Sequence, residues 1–331
     1  MSAPKLNIDP NGHPDDELHQ PTSDDPFWGE TSWWAFSVPE RKLAAWFYPL
    51  IRPNQNVCSA AVFVFDHQGD NPWDCRYFKQ FWHLPLPDGP LSDCTFGNGI
   101  SYKVLEPQMA YSLKYTDPDV VEGTESAIEI DVEFRAIMEP LHTKTSGPDG
   151  GHLDQLGRFT GTLVLDGETI AVDSLGARDR SWGPRTPFGP YLMSGHGYHA
   201  TRMPYSHATS ETASFLSISA NVTEDFPVLM GFTRLDGEVS RIASGKRTAL
   251  ATNDEKGTVT RVLIEGVDEL GRDFHAEGEC LTDFLNSCNE NLVGWNHLVR
   301  WEVNGVEAWG EHHENYSMSA QRTMLRRAQG W

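Results

Sequence analysis

In the stretch GARDRSWGPR, residues 176–185, one carboxyl group, Asp179, lies between the guanidinium groups of Arg178 and Arg180. The hydroxyl of Ser181, the indole of Trp182 and a third guanidinium, Arg185, follow closely. A carboxyl group beside an indole can give or take a proton while the ring stabilises a developing cation. Neighbouring arginines favour the carboxylate, hence a base, whereas apolar burial favours the acid. Successive side chains on a strand point to opposite faces, so both arginines can face away from Asp179, splitting the cluster into an inner acid and outer struts. The same residues can also serve structure alone, as a bidentate ion pair tying a strand end to its surroundings.

Histidines form a second set. GHGYHATRMPYSH supplies His196, Tyr198, His199 and His207, and GEHHENY supplies Glu311, His312, His313 and Glu314. Two histidines and a carboxylate can form an iron or zinc site. His-x-x-His on a strand, however, sends its rings to opposite sides, and exposed or hydrogen-bonded histidines are the simpler reading. His196, Tyr198 and His199 follow the Asp179 motif closely enough to line the same mouth, and a neutral imidazole suits proton relay. Tyr198 and His199 therefore join Asp179 as catalytic candidates.

TSWWAFS and QFWHLPL contribute Trp33, Trp34, Trp82 and His83. Strand alternation sends one indole of each pair inward, as core or as the apolar wall for a polycyclic or isoprenoid guest. With Arg178, Arg180, Trp182, Arg185 and His196 they make up the candidate substrate-binding set. GxGxxG after a strand, GxxxxGK[ST], HExxH and GxSxG are all missing, which disfavours nucleotide cofactors and serine hydrolysis.

The elements that must position these residues read as short strands between turn signals. TSWWAFSV, KLAAWFYPLI, SAAVFVFD, DCRYFKQFWHLPL and ISYKVLE are separated by HQGDNP, PDGP and GNG. SAIEIDVEFRAIMEP places Ile128, Ile130, Val132 and Phe134 on one face and Glu129, Asp131, Glu133 and Arg135 on the other, a half-buried strand. HTKTSGPDGGHLDQ reads as a polar loop, after which two strands join at Asp166-Gly167; Asn304-Gly305 marks another hairpin. Only SMSAQRTMLRRAQG has helical spacing. The spacing predicts an all-β chain of two lipocalin-like β-barrel or sandwich domains packed together, with a short C-terminal helix. The expected domains are an extended N-terminal arm over 1–25, a β domain over 26–165 and another over 166–331.

Composition narrows the partners. Against 26 basic residues stand 47 acidic ones, for a formal charge of −21, which repels phosphate backbones and anionic lipid surfaces and argues against nucleic acid. The opening residues lack an apolar segment after a basic start, and no run approaches a membrane span, so the expectation is a cytoplasmic protein without membrane insertion. Five cysteines without CxxC spacing read as buried thiols.

VDSLGARDRSWGP, preceded by FTGTLVLDGETI, resembles the Gly-x-x-x-Asp-x-x-Trp-Gly segment of the carotenoid 1,2-hydratase (hydroxyneurosporene synthase) superfamily, which includes kievitone hydratase and the lipocalin-like fungal Diels-Alderases. From about residue 20 to its end the chain is similar to a bacterial two-part family with a Trp-rich N-terminal half and an Arg-Asp-Arg-Ser-Trp-Gly motif. The resemblance implies two lipocalin-like barrels with a hydrophobic pocket at or near their interface. It further implies action on polyene, isoprenoid or polyketide substrates without metal or organic cofactor, with Asp179 matching the motif acid and Trp182 its aromatic. Arg178 and Arg180 depart from the hydratase pattern, which permits a substrate bearing a carboxylate, phenolate or carbonyl.

The expected function is a cofactor-independent hydratase or dehydratase, isomerase or cyclase acting on a small hydrophobic unsaturated substrate. A non-catalytic carrier of a steroid, terpenoid or aromatic ligand and a His/carboxylate metalloenzyme are the alternatives. A homodimer is left open.

Overall fold

A run of eleven consecutive buried residues, Trp28–Val38, sets the pattern of the first half of the chain, because only a strand covered on both faces is buried at every residue. The computed structural model describes residues 6–117, 128–144, 150–184, 200–223, 225–287 and 291–330. The chain divides into two units. One takes Met1–Val38, Ala45–Phe63 and Tyr77–Thr186; the other takes Pro39–Ala44, Val64–Arg76 and Pro187–Trp331.

The first sheet is built from β1 (Trp28–Val38), β2 (Leu43–Arg52), β3 (Val57–Phe65), β4 (Tyr77–Leu84), β5 (Asp93–Thr95), β6 (Ser101–Glu106), β7 (Ala110–Thr116), β8 (Ile128–Ala136), β9 (Leu141–Lys144), β10 (Gly151–Leu165) and β11 (Glu168–Pro184). Their order is β4-β3-β2-β1-β11-β10-β8-β7-β6-β5, with β9 on β10, and the sheet curls into a half-barrel. In β8 the alternation is as expected: Ile128, Ile130, Val132 and Phe134 are buried and the residues between them are not.

The Asp166-Gly167 hairpin does not divide the chain in two. Both of its strands belong to the first sheet, with β11 pairing with β10 on one side and with β1 on the other as far as Pro184. Asp166 and Gly167 both have positive φ, 54° and 78°, the geometry a two-residue turn needs to match the twist of its strands. The segment GHLDQ, expected as loop, is the start of β10; its polar side chains are buried, His152 and Gln155 bonding Ser181 and Arg178 of β11, and Asp154 bonding His152.

The second sheet contains β12 (Arg202–Thr209), β13 (Ala213–Ser219), β14 (Val228–Leu235), β15 (Glu238–Thr252), β16 (Val259–Asp268), β17 (Asp273–Cys280), β18 (Phe284–Asn286), β19 (Leu292–Val303) and β20 (Val306–Ser317). The order is β17-β16-β15-β14-β13-β12-β20-β19-β18, and β17 also pairs with β19. Eight antiparallel strands thus close into a barrel, which removes the exposed edges of an open sheet. Its apolar end holds Phe215, Phe274, Val299 and Trp301, with Phe215 edge-on to Trp301 at 5.0 Å. Burying each large apolar side chain contributes roughly 1.5–3 kcal/mol.

Asn304-Gly305 turns β19 into β20, and Asp236-Gly237, not anticipated, turns β14 into β15 in the same left-handed geometry. The C-terminal helix, α1, spans Met318–Ala328, capped by Ser317 and closed by Arg326 and Arg327 in its last turn. Among the described residues no helix is long and apolar enough to cross a membrane. Cys58, Cys75, Cys94 and Cys280 form no disulfide among the described residues, and burial pushes the Cys58 and Cys94 thiols up to about 12.

Candidate functional site

Strand β11 sorts the arginine and aspartate cluster by parity. Arg178 and Arg180 lie on the inner face of the half-barrel, both wholly buried, and Asp179 lies half-buried on the other face. The expected split is reversed: the arginines are inside and the acid is on the opposite side, because 178 and 180 share parity with the apolar face of β11.

Arg180 is spent on the N-terminal arm. Its Nη1 donates to the carbonyl of Asp15, and its Nη2 donates to the carbonyl of Glu17 at 3.0 Å and to Glu30 Oε2 at 2.8 Å. Arm residue Asp16 is fixed in turn, accepting from the Tyr111 hydroxyl at 2.6 Å and the Gln108 amide at 2.9 Å. The arm is thus part of the first unit, and Asp16, Glu17 and Leu18 are buried.

Arg178 donates Nε to Gln155 Oε1 at 2.6 Å. Its guanidinium lies over the rings of Tyr111 and Trp34, 4.4 and 5.2 Å from their centroids, and its Nη atoms have no hydrogen-bond partner among the described residues. These aromatic faces compensate the buried cation in place of a carboxylate. Neither arginine stands beside Asp179 to hold a substrate oxygen there. Trp182, on the inner-face parity, stacks on His19 at 4.1 Å and lies across Gly151, where a Cβ would come within 2.1 Å of the indole.

The face carrying Asp179 has its own constellation. Cross-strand pairing puts Trp33 of β1 opposite Asp179 and Asp154 of β10 on its other side. One register step away His152 faces Ser181; its Nδ1 is 2.8 Å from Ser181 Oγ and its Nε2 is 2.9 Å from Asp154 Oδ2. A carboxylate only accepts, so Nε2 carries the proton and Nδ1 accepts from the serine hydroxyl. Trp33 is buried and meets Trp46 edge-on at 5.4 Å. Asp154 and His152 were not singled out by sequence, yet counting outward from the Asp166-Gly167 turn places Asp154 opposite Asp179.

Other expected residues separate. Trp34 faces inward with its Nε1 on Ser32 Oγ at 2.9 Å. Trp82 and His83 are exposed at the end of β4 and belong to neither core nor wall. Arg185, His196, Tyr198 and His199 lie outside the described residues.

In the second unit, strand alternation parts the histidines of GEHHENY. His312 and Glu314 point to one face of β20, His313 and Glu311 to the other. His312 Nδ1 is 2.7 Å from Ser206 Oγ and its Nε2 is 2.8 Å from Glu314 Oε1, which Arg247 also contacts. On the other face His313 stacks on Tyr205 at 5.4 Å and bonds Glu311 at 2.7 Å, with the buried His207 nearby. Burial holds His207 down to about 4 and His313 to about 3, and pushes His312 well below its ordinary value, so all are neutral at pH 7. Among the described residues no three His, Cys, Asp or Glu side chains are placed to hold a metal ion.

An open half-barrel followed by a closed eight-stranded antiparallel barrel defines a two-unit, lipocalin-like β protein. The chain belongs to the family DUF7064, described as a domain of unknown function, whose pattern matches residues 12–317. Among solved structures it is similar to an AttH candidate, NE1406 of Nitrosomonas europaea. That likeness covers 95% of this chain and 100% of the other at 11% identity and a TM-score of 0.60. It is also similar to CghA, at a TM-score of 0.49 both alone (12% identity, 96% and 98% of the two chains) and with Sch210972 (11%, 91% and 94%). No curated protein matches the sequence. At such identity the NE1406 likeness speaks for the fold alone.

Proposed function

We propose that this protein is a cofactor-independent acid–base enzyme of the lyase or isomerase type, acting on a small hydrophobic unsaturated molecule of isoprenoid, polyketide or aromatic character. The opposition of Asp154 and Asp179 across β10 and β11, with His152 bonded to Asp154, supports this reading. Two carboxyl groups and an imidazole on one sheet face form a set through which a proton can be delivered to, or removed from, a carbon centre. In this reading Asp179 exchanges the proton with substrate, Asp154 and His152 relay it through Ser181, and the Trp33 ring stands beside the developing charge. Hydration or dehydration, double-bond shift and cyclisation all use this one step.

The test begins with small molecules extracted from freshly purified protein, whose identity supplies the assay. Asp179→Asn should bind that molecule unchanged and lose turnover. A protein that returns every bound molecule unmodified, wild type included, would be a carrier and the reading would fall.

A further inference from the structure

The interior wall of the second barrel changes character along its length. Val299, Ala208 and Phe215 lie in register near one end. One step further, His297, His312, Ser206 and Ser217 form a polar band across four strands. Beyond the band, where β12 begins and β20 ends, stand Glu314, Arg202 and Tyr316. There a cavity of about 370 Å³ opens, lined by Arg202, Asn221, Phe226, Tyr316, Ala320 and Met324 among others, within the range of small-molecule sites.

Among the described residues the charges beside this cavity do not balance. Glu314 receives both Arg202, through Nε, and Arg247, so two guanidinium groups share one carboxylate. His312, the other partner of Glu314, is neutral, and burial keeps Tyr316 protonated. Among the described residues this leaves one more guanidinium than carboxylate beside the cavity, with Arg202 lying against the rings of Tyr316 and Phe226, in a chain whose formal charge is −21. Arg247 is buried and its Nε has no hydrogen-bond partner among the described residues. Arg202 reaches the cavity with only Nε committed among the described residues. Phe226 holds a left-handed backbone (φ 45°), uncommon for a bulky residue, and its ring lies 5.1 Å from the Arg202 guanidinium and 5.5 Å from that of Arg247.

We propose that the mouth of the second barrel is a binding site for a small amphipathic carboxylate, its head group on Arg202 and its apolar portion along Phe226, Ala320 and Met324. Planar guanidinium donors match a carboxylate two by two, and the surplus charge selects an anion over an alcohol of the same shape. The site is built by the second unit alone, whereas Asp154 and Asp179 belong to the first, and it does not depend on the acid–base reading.

Calorimetric titration of the full chain with decanoate and with decan-1-ol at pH 7 tests it. The expected result is decanoate binding at least tenfold tighter than the alcohol. Arg202→Gln removes that preference, and Met324→Trp, which fills the cavity from the helix without touching the ionic cluster, weakens both ligands at least tenfold. Asp179→Asn leaves both unchanged. Equal affinity for the two ligands, no binding, or decanoate affinity lost in Asp179→Asn but kept in Met324→Trp would each overturn the proposal.

Discussion

His152 and His312, one in each unit, sit in the same three-part arrangement: each has Nδ1 within hydrogen-bonding distance of a serine hydroxyl on the register-opposed strand and Nε2 beside a carboxylate two residues further along its own strand, and Arg247 Nη2 also lies 3.2 Å from His312 Nε2. His-x-Asp and His-x-Glu on a strand put both groups on one face, so one residue pattern yields one geometry twice.

For the first unit, Asp154→Asn and His152→Gln should each lower turnover by about 10²–10⁴-fold while ligand affinity stays within a few-fold, since they alter proton transfer and not the wall that holds the substrate. A pH–rate profile separates this from misplacement. Loss of a limb in the profile of His152→Gln is expected; a rate depressed equally at every pH would assign the histidine to packing.

Arg178→Met and Arg180→Met should differ sharply in stability. Removing Arg180 takes the guanidinium from Glu30, which is wholly buried and keeps His19, and frees the arm carbonyls, a loss of about 3–5 kcal/mol. Arg178 has no carboxylate to strand, and a methionine keeps the contact with Trp34 and Tyr111, so its replacement should stay within about 1–2 kcal/mol of wild type. Urea denaturation measures both. Limited proteolysis near residue 15 should accelerate in Arg180→Met alone.

The buried histidines of the second unit predict acid sensitivity. His207, His297, His312 and His313 are held neutral by burial, their values depressed below the 6.5 of an unfolded chain. Between pH 6.5 and about 4 the unfolded chain therefore binds more protons than the native one, and stability rises with pH in that window. The stabilisation is complete above about pH 6.5 and is lost as the pH falls, by about 3 kcal/mol for His207 alone. Hydrogen exchange at pH 7 and pH 4.5 should show β12, β19 and β20 losing protection; unchanged protection would mean that these rings titrate freely.

Gly151→Val places a side chain where the Trp182 indole lies. The ring must leave its stack on His19, a cost of about 1–3 kcal/mol as overpacking. A red shift in tryptophan emission with a lowered Tm is the expected outcome, and an unchanged spectrum would place the indole elsewhere.

Local pattern made much of this legible. The alternation in β8, the Asp-Gly and Asn-Gly turns and the helical tail each follow from a few adjacent residues. GARDRSWGP was readable as a strand with two faces, but which face was inner was not, since that depends on Trp34, Gln155 and Tyr111 meeting Arg178 from three other strands. Arg180 with Glu17, and Ser206 with His312, join residues more than a hundred positions apart, and no local signal announces such pairs. Asp154 lay within reach of register counting and was hidden by the Gly- and Pro-rich residues before it, which read as loop.

Strand β1 gains one neighbour, β2, as soon as the next residues are made, but β11 begins only at Glu168. At roughly 5–20 residues per second, the second edge of an entirely buried strand waits about 7–30 s on the ribosome for its partner. During that time Trp33, Trp34 and Phe36 have no β11 to shelter them, which makes this segment an aggregation liability when synthesis stalls before residue 184.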